Sequence, residues 1–230
     1  MRDPLVTVRN VAKSYRRGSE TVTIFPNLSL DIGRGEFLAL MGPSGSGKTT
    51  LLNLLGGIDR VDGGEIRFDG QTITGFSEVQ FARWRASQLG FIFQFYNLIP
   101  VLNAAQNVEL PLLLTRMNRA ERSRRVALAL DVVGLSERAR HRPKELSGGQ
   151  QQRVAIARAL VSDPKMILAD EPTGDLDRET ADEILDILAL LAREQGKTIV
   201  MVTHDWRAAE RASRILMLDK GEFIVRDKAA

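Results

Sequence analysis

The sequence predicts an α/β fold built around a parallel β-sheet, and three observations carry that prediction. Two apolar runs, Met166–Ala169 and Thr198–Thr203, flank an amphipathic segment. Its apolar residues Ala181, Ile184, Leu185, Leu188 and Leu191 fall close to i, i+3, i+4, i+7 spacing, and Gly196 ends it. An earlier run, Phe37-Leu38-Ala39-Leu40-Met41, is apolar at every position, as in a strand buried on both faces, and leads through a glycine-rich loop into a helix. Strands that alternate with helices assemble into one parallel sheet through right-handed crossovers.

Residues 5–37 read as short strands: Leu5, Val6 and Val8, then Val22-Thr23-Ile24, then Leu28, Leu30 and Ile32 in alternation, with Gly33 and Gly35 as punctuation. Thr49 to Leu55 reads as a helix stopped by Gly56-Gly57. Glu65–Phe68 followed by Asp69-Gly70 reads as a strand entering a hairpin turn. Residues 106–160 change character. Glu109–Leu114 is apolar, Arg119–Gly134 reads as a helix, Pro143 breaks the chain, and a second helix runs from about Gly149 to Leu160. This stretch is a helical insertion. Ile215–Leu218, Lys220-Gly221 and Phe223–Val225 read as a final hairpin.

The 230 residues suit one large domain, or two small lobes on a shared core. Hydrophobic residues at 43% and charged residues at 27% exclude a disordered chain, a collagen-like chain and a long coiled coil. The sequence holds no cysteine, which excludes disulfides, thiolate metal sites and a cysteine nucleophile. The first residues lack an apolar core, so no signal peptide is expected. The longest charge-free stretch, Ala86–Val108, contains Gly90, Gln94, Asn97, Pro100, Asn103, Gln106 and Asn107, too many polar groups and breakers for a membrane span. A soluble chain that at most lies against a membrane is expected. The net charge of +3 hides an asymmetry: residues 116–144 are basic, and residues 170–186 are acidic apart from Arg178. The basic stretch contains no aromatic residue, which argues against nucleic acid as a partner.

Gly42-Pro43-Ser44-Gly45-Ser46-Gly47-Lys48-Thr49 matches G-x-x-x-x-G-K-[ST] in full, between a strand and a helix. Glycines let backbone N–H groups approach phosphate oxygens, and the helix N-terminus adds partial positive charge. Lys48 is placed to neutralise the β- and γ-phosphates, and the Thr49 hydroxyl can ligate Mg²⁺. The run Met166–Ala169 ends in Asp170-Glu171. Asp170, at the C-terminal end of a buried strand, is the natural carboxylate for a Mg²⁺ shell. Glu171, one residue on, is placed to polarise an attacking water. Leu146-Ser147-Gly148-Gly149-Gln150 reads as a Ser-capped helix start and a second anion-binding backbone site.

The order of these motifs, with Gly42–Thr49 first, Leu146–Gln150 next and Asp170-Glu171 last, resembles the ATP-binding cassette (ABC) ATPases over essentially the whole chain. The resemblance implies a P-loop NTPase (RecA-like) core over about residues 1–94 and 160–230. An N-terminal antiparallel β subdomain and an inserted α-helical subdomain, about 95–159, would complete it. It implies ATP and Mg²⁺ as cofactors and ATP hydrolysis coupled to transport. It also implies that Thr50 joins the ATP-binding loop and that Gln94, with Thr49 and Asp170, joins the Mg²⁺ shell. By the same resemblance His204 contacts the γ-phosphate, Tyr15 stacks on adenine, and Asp175 and Asp177 lie on a loop crossing a dimer interface. A core role for Tyr15 and a helix cap for the 174–177 loop are the competing readings. Lys48, Glu171 and His204 are the implied catalytic residues. Leu146, Ser147, Gly148, Gly149 and Gln150 would complete the ATP site of a second copy.

The runs 41–53, 93–100 and 169–177 resemble more narrowly the branch of lipoprotein-release, macrolide-export and cell-division ATPases. That branch implies a homodimer on the cytoplasmic face of a bacterial inner membrane, driving a separate permease, with an extracytoplasmic adaptor as a further compatible partner. Export or mechanical transmission is the implied work. Phe95, Tyr96, Leu98 and Ile99 are the candidate permease seat, with plain core packing as the competing reading. Regulation of a cell-wall or division complex, and a non-transport ABC ATPase, stay open as alternatives. The chain stops soon after its last hairpin, so no C-terminal regulatory domain is expected.

Overall fold

The computed structural model describes residues 4–224. Two 14-residue strands, β1 (Pro4–Arg17) and β2 (Glu20–Gly33), pair antiparallel. The sequence suggested three shorter strands here. Register shifts along β1 break the two-residue alternation, so continuous strands look fragmented. Pro26 is tolerated because β2 is an edge strand. β4 (Gly63–Phe68) and β5 (Gln71–Thr72) complete a sheet of order β2-β1-β4-β5. Asp69 (φ 52°) and Gly70 (φ 77°) form the tight left-handed turn that their dipeptide predicts.

The second sheet has order β10-β9-β3-β8-β7-β6. Its strands are β3 (Phe37–Met41), β6 (Leu89–Phe93), β7 (Met166–Asp170), β8 (Thr198–Val202), β9 (Arg214–Asp219) and β10 (Glu222–Ile224). All are parallel except β10, which returns along β9 as the expected hairpin. Val225, which the sequence placed at the end of that hairpin, lies outside the described residues. Helix α1 (Lys48–Leu55) follows β3, α2 (Glu78–Gln88) precedes β6, and α6 (Arg178–Gln195) joins β7 to β8. The insertion contains α3 (Ala104–Glu109), a 3-10 turn over Leu110–Leu114, α4 (Arg119–Val132) and α5 (Gly148–Leu160), and α7 (Trp206–Glu210) follows β8.

Strand alternation divides the interior into two cores. Phe37, Ala39, Met41, Ile92, Ile167, Ala169, Ile199 and Met201 face one side, where α3, α4, α5 and α6 cover them. Leu38, Leu40, Leu89, Met166, Leu168, Val200 and Val202 face the other, against α1, α2 and the antiparallel sheet. Every residue of β3 and β8 is buried, as the apolar runs require. The inserted helices therefore share one core with the parallel sheet.

Helix α2 and strand β6 escaped the sequence reading. Helix α2 buries only Phe81 and Trp84, so its apolar stripe is too thin to show a period. The signal that marks it is Ser77-x-x-Gln80, whose side chains form a reciprocal capping box.

Helix α5 lies so close to β6 that a Cβ on Gly90 would sit 2.3 Å from the Ala159 carbonyl oxygen. Gly75 has open space around it. Gly90→Ala must push the α5 backbone away and lowers stability by about 1–3 kcal/mol. Gly75→Ala changes it by about 0.5 kcal/mol or less. Urea unfolding of the two variants beside the wild type checks the contrast.

Candidate functional site

The loop 42–49 joins the end of β3 to the start of α1. Gly42 holds φ 151° with its α-carbon so near β9 that a Cβ would meet the Leu218 carbonyl oxygen at 2.0 Å. Gly47 (φ 105°) is the N-cap of α1 and presses against the Phe25 ring. Neither position accepts a side chain, so the loop brings bare backbone amides to its concave face. Gly45 (φ 79°) is left-handed with open space around it, and Ser46 is 4% exposed with no hydrogen-bond partner for its hydroxyl. Lys48 Nζ bends back over the loop and donates to the carbonyls of Gly42 (2.8 Å) and Pro43 (2.9 Å). Left-handed turns, an inward hydroxyl and an ammonium folded over them are what a phosphate cradle needs.

Next to the cradle, β6, β7 and β8 end level. Phe93 pairs with Asp170, and Asp170 pairs with Val202. Gln94, Glu171 and His204 follow those ends. Ser44, Gly45, Lys48, Thr49, Gln94, Asp170 and Glu171 line one cleft of about 460 Å³. Burial raises the Asp170 carboxyl, the neighbouring charge of Glu171 adds to this, and the Thr49 hydroxyl and Lys48 ammonium oppose it. Glu171 takes a left-handed conformation (φ 48°), its N–H donating to the Val202 carbonyl at 3.0 Å. Its Oε1 is 2.9 Å from His204 Nδ1, which draws His204 to the cleft edge.

The donor set suits Mg²⁺. Among the described residues no cluster of three or more His, Asp or Glu side chains could hold a metal on its own. A hydroxyl (Thr49), an amide oxygen (Gln94) and one carboxylate (Asp170) share the cleft instead. Mg²⁺ prefers hard oxygens, takes few protein ligands and fills its shell with phosphate oxygens and water.

Tyr15 is 41% exposed, so it is not a core residue. Its hydroxyl donates to Asp59 Oδ2 at 2.5 Å, and Lys13 Nζ lies 4.7 Å over its ring. Burial, then the Asp59 hydrogen bond, raises the phenol, while the Thr50 hydroxyl lowers it. Tyr15 and Thr50 thus meet beside the first turn of α1. Lys13, nearly buried, also donates to Asp59 Oδ1 at 2.8 Å. The sequence reading missed Lys13 and Asp59, because their pairing joins strand β1 to the loop after α1, 46 residues away, with no motif.

The remaining motif residues do not line the cleft. Ser147 caps α5 in a reciprocal box with Gln150, as the Ser-x-x-Gln pattern predicts, and Ser147 is exposed. A Cβ on Gly148 would sit 2.9 Å from Tyr96 Oη, and one on Gly149 would sit 2.2 Å from the Thr180 methyl. Leu146 is buried below them. Asp177 caps α6, accepting from the Thr180 N–H at 3.1 Å, and Asp175 faces Tyr96, whose phenol is raised by burial first and by Asp175 second. The Leu146–Gln150 cap and the Asp175–Asp177 loop therefore form a second patch beside α5 and α6.

A parallel α/β sheet carrying a glycine-lined loop and two consecutive acidic residues at the end of a nearby strand defines a nucleotide-hydrolysing P-loop protein. The comparisons place it more narrowly. Residues 25–174 match the ABC transporter family model. The chain is 46% identical over 220 residues to the uncharacterized ABC transporter ATP-binding protein YknY of Bacillus subtilis (strain 168), covering 96% of this chain and 95% of that one. It superposes on the ATP-binding cassette MJ0796, solved as a dimer in a post-hydrolysis state bound to ADP and Pi. The TM-score is 0.86 at 44% identity, covering 95% of this chain and 96% of that one. The protein from Methanocaldococcus jannaschii carrying that name is 46% identical over 222 residues, covering 95% of this chain and 94% of that one. The fold also matches cbiO1 from Clostridium perfringens, part of the ABC transporter complex cbiONQ, with TM-score 0.88 and 30% identity, covering 97% of this chain and 88% of that one. The chain belongs to the ABC transporter ATP-binding family and is an ATPase.

Burial pushes the Asp59 carboxyl up, but hydrogen bonds from Lys13, Tyr15 and the Arg60 N–H outweigh it and hold the group below the ordinary carboxylate value. A depressed acid stabilises the fold above its unfolded value and loses that contribution as pH falls through the folded one. The stability advantage of wild type over Asp59→Asn is therefore full above about pH 5 and shrinks as pH falls to about 3. Urea unfolding between those values checks it.

Proposed function

We propose that two copies of this chain close head to tail around two ATP molecules with Mg²⁺ and drive a separate membrane permease by mechanical transmission or export. The observation that carries this reading is the split site. The cleft holds Lys48, Thr49, Gln94, Asp170 and Glu171, while the Ser147–Gly149 helix start does not line the cleft of its own chain. A backbone anion site at an exposed helix N-terminus suits the γ-phosphate presented by a second copy. The dimeric MJ0796 cassette supports this arrangement.

In this reading Gly42–Thr49 binds the phosphates and Lys48 neutralises the β- and γ-oxygens. Thr50 and Tyr15 border the nucleoside end. Thr49, Gln94 and Asp170 hold Mg²⁺, which would neutralise phosphate charge. Glu171 Oε accepts a proton from the attacking water as oxygen bonds to the γ-phosphorus and the bond to the β-bridging oxygen breaks. His204, against Glu171, orients the carboxylate and reaches the γ-phosphate. ATP favours the closed dimer, and hydrolysis reopens it, a population shift set by differential affinity.

The core over 1–94 and 160–230 would work against a helical unit over about 95–159. Two surfaces support a permease partner. Phe95 (69% exposed) and Ile99 project beside Gln94, while Tyr96 and Leu98 are partly buried. A groove of about 530 Å³ adjoins them, walled by Phe91, Phe93, Leu110, Pro111 and Leu114. Among the described residues no helix is long and apolar enough to cross a membrane, and in this reading the permease supplies the membrane span. In this reading the dimer works on the cytoplasmic face of a bacterial inner membrane.

Glu171→Gln lowers ATP turnover by about 100-fold or more, the range for a lost general base. It also accumulates as a dimer with ATP in size-exclusion chromatography with light scattering. Ser147→Arg abolishes that dimer in the Glu171→Gln background while ATP still binds. Wild-type turnover in Glu171→Gln, or an ATP-dependent dimer in Ser147→Arg, overturns the assignment. A permease that co-purifies stoichiometrically from gently solubilised membranes identifies the partner. A cell-wall enzyme in the same complex points instead to regulation.

A further inference from the structure

Helix α5 reaches the cleft through a side chain that the motifs do not include. Gln152 is fully buried, at 0% exposure. Its Nε2 donates to the Pro172 carbonyl and, at 3.4 Å, to the Phe93 carbonyl. Both partners only accept, so the amide cannot be turned round: its NH₂ must face them. Its Oε1 is left with no donor. For stability alone this is a poor choice, since a buried unpaired acceptor costs free energy that an apolar side chain of similar volume avoids.

The position of the two carbonyls explains the choice. Phe93 ends β6 immediately before Gln94, and Pro172 immediately follows Glu171. One amide therefore ties together the strand ends that present Gln94 and Glu171. Ser147 caps the same helix five residues earlier. Six residues further on, the Arg158 guanidinium donates to the carbonyls of Asn97 (2.5 Å) and Tyr96 (2.7 Å). Tyr96 (φ 53°) and Asn97 (φ 48°) are left-handed, a conformation that persists only where surrounding bonds hold it. The segment from Phe93 to Asn97 is thus gripped on both sides of Gln94 by one helix.

We propose that Gln152 is a positioning residue for ATP hydrolysis, fixing Gln94 and Glu171 of one site relative to the Ser147 cap that serves the other. The inference rests on the head-to-tail reading above. It makes α5 a rigid lever between the two ATP sites. A change in where Ser147 sits moves the Phe93 and Pro172 carbonyls, and through them the water-activating carboxylate.

The test compares wild type with Gln152→Met, which keeps length and volume but loses the donor, and with Gln152→Glu, which turns a carboxylate towards two carbonyls. Steady-state ATPase rates with ATP and Mg²⁺, affinity for ADP, and the melting temperature are measured on the full chain. The expected result for Gln152→Met is a kcat lower by about tenfold or more, the scale of a small misplacement of catalytic groups. KM, ADP affinity and melting temperature stay near wild type, and Gln152→Glu loses at least as much kcat. Unchanged kcat in Gln152→Met overturns the proposal. So does a parallel fall of kcat, ADP affinity and melting temperature, which marks packing alone. If Gln152→Glu does not fold, Gln152→Met decides the matter. A wild-type rate strictly linear in protein concentration, with no ATP-dependent dimer, would instead defeat the head-to-tail reading, and the kcat of Gln152→Met would still report positioning within one site.

Discussion

The in-register parallel pairing of β6, β7, β8 and β3 is the constraint on which the rest depends. Phe93 aligns with Asp170, Asp170 with Val202, and Val202 with Leu40. Neighbouring strands lie about 4.8 Å apart, so the segments leaving their C-terminal ends start in a single row. That row delivers Gln94, Asp170, Glu171 and His204 beside the phosphate loop. A one-residue slip of any of these strands would turn its side chains to the opposite face and undo both the core and the cleft.

The pairing is held from two sides by packing of different kinds. On one face α1 and the antiparallel sheet close over Leu38, Leu40, Val200 and Val202. On the other, α5 and α6 close over Ala39, Ile167, Ala169 and Ile199. Small residues set the distances. Gly90 lets α5 rest on β6, and Gly42 lets the phosphate loop touch β9. The loop's shape is thus imposed by its neighbours, which is how a cradle of bare amides stays open instead of collapsing.

Three of the left-handed non-glycine residues lie where chemistry is expected, while Asn10, Asp69, Asp163 and Lys220 lie elsewhere. Glu171, Tyr96 and Asn97 are all left-handed without being glycine, and each is tied by a backbone hydrogen bond or a guanidinium. Such conformations cost of order 1–3 kcal/mol each and survive only where the surroundings over-determine them. Helix α5 supplies much of that determination for the Gln94 segment. It also presents Ser147 to solvent at its other end, so one rigid element touches both halves of the proposed split site.

The phosphate loop, the Asp170-Glu171 pair and the Ser147 cap were legible because each is local: a few residues fix a turn, a strand end or a helix start. The buried parallel strands were legible from their unbroken apolar runs, and the Asp69-Gly70 and Lys220-Gly221 turns from their dipeptides. The long strands β1 and β2 were only partly legible, since bulges scramble alternation, and α2 hid because two buried aromatics make no period. Lys13, Asp59, Gln152 and Arg158 could not be read at all. Their tertiary partners are backbone carbonyls and side chains 44 to 62 residues away, apart from the 20-residue span to Pro172. The sequence by itself determined where the glycine-rich loop and the Ser147 helix cap fall and which strands are buried, because residue chemistry and periodicity act over a few positions. Only the tertiary structure decided that β3 lies between β8 and β9, that Tyr15 is exposed, and that α5 clamps the Gln94 segment. Those outcomes depend on which distant surfaces pack together, and no local pattern specifies that choice.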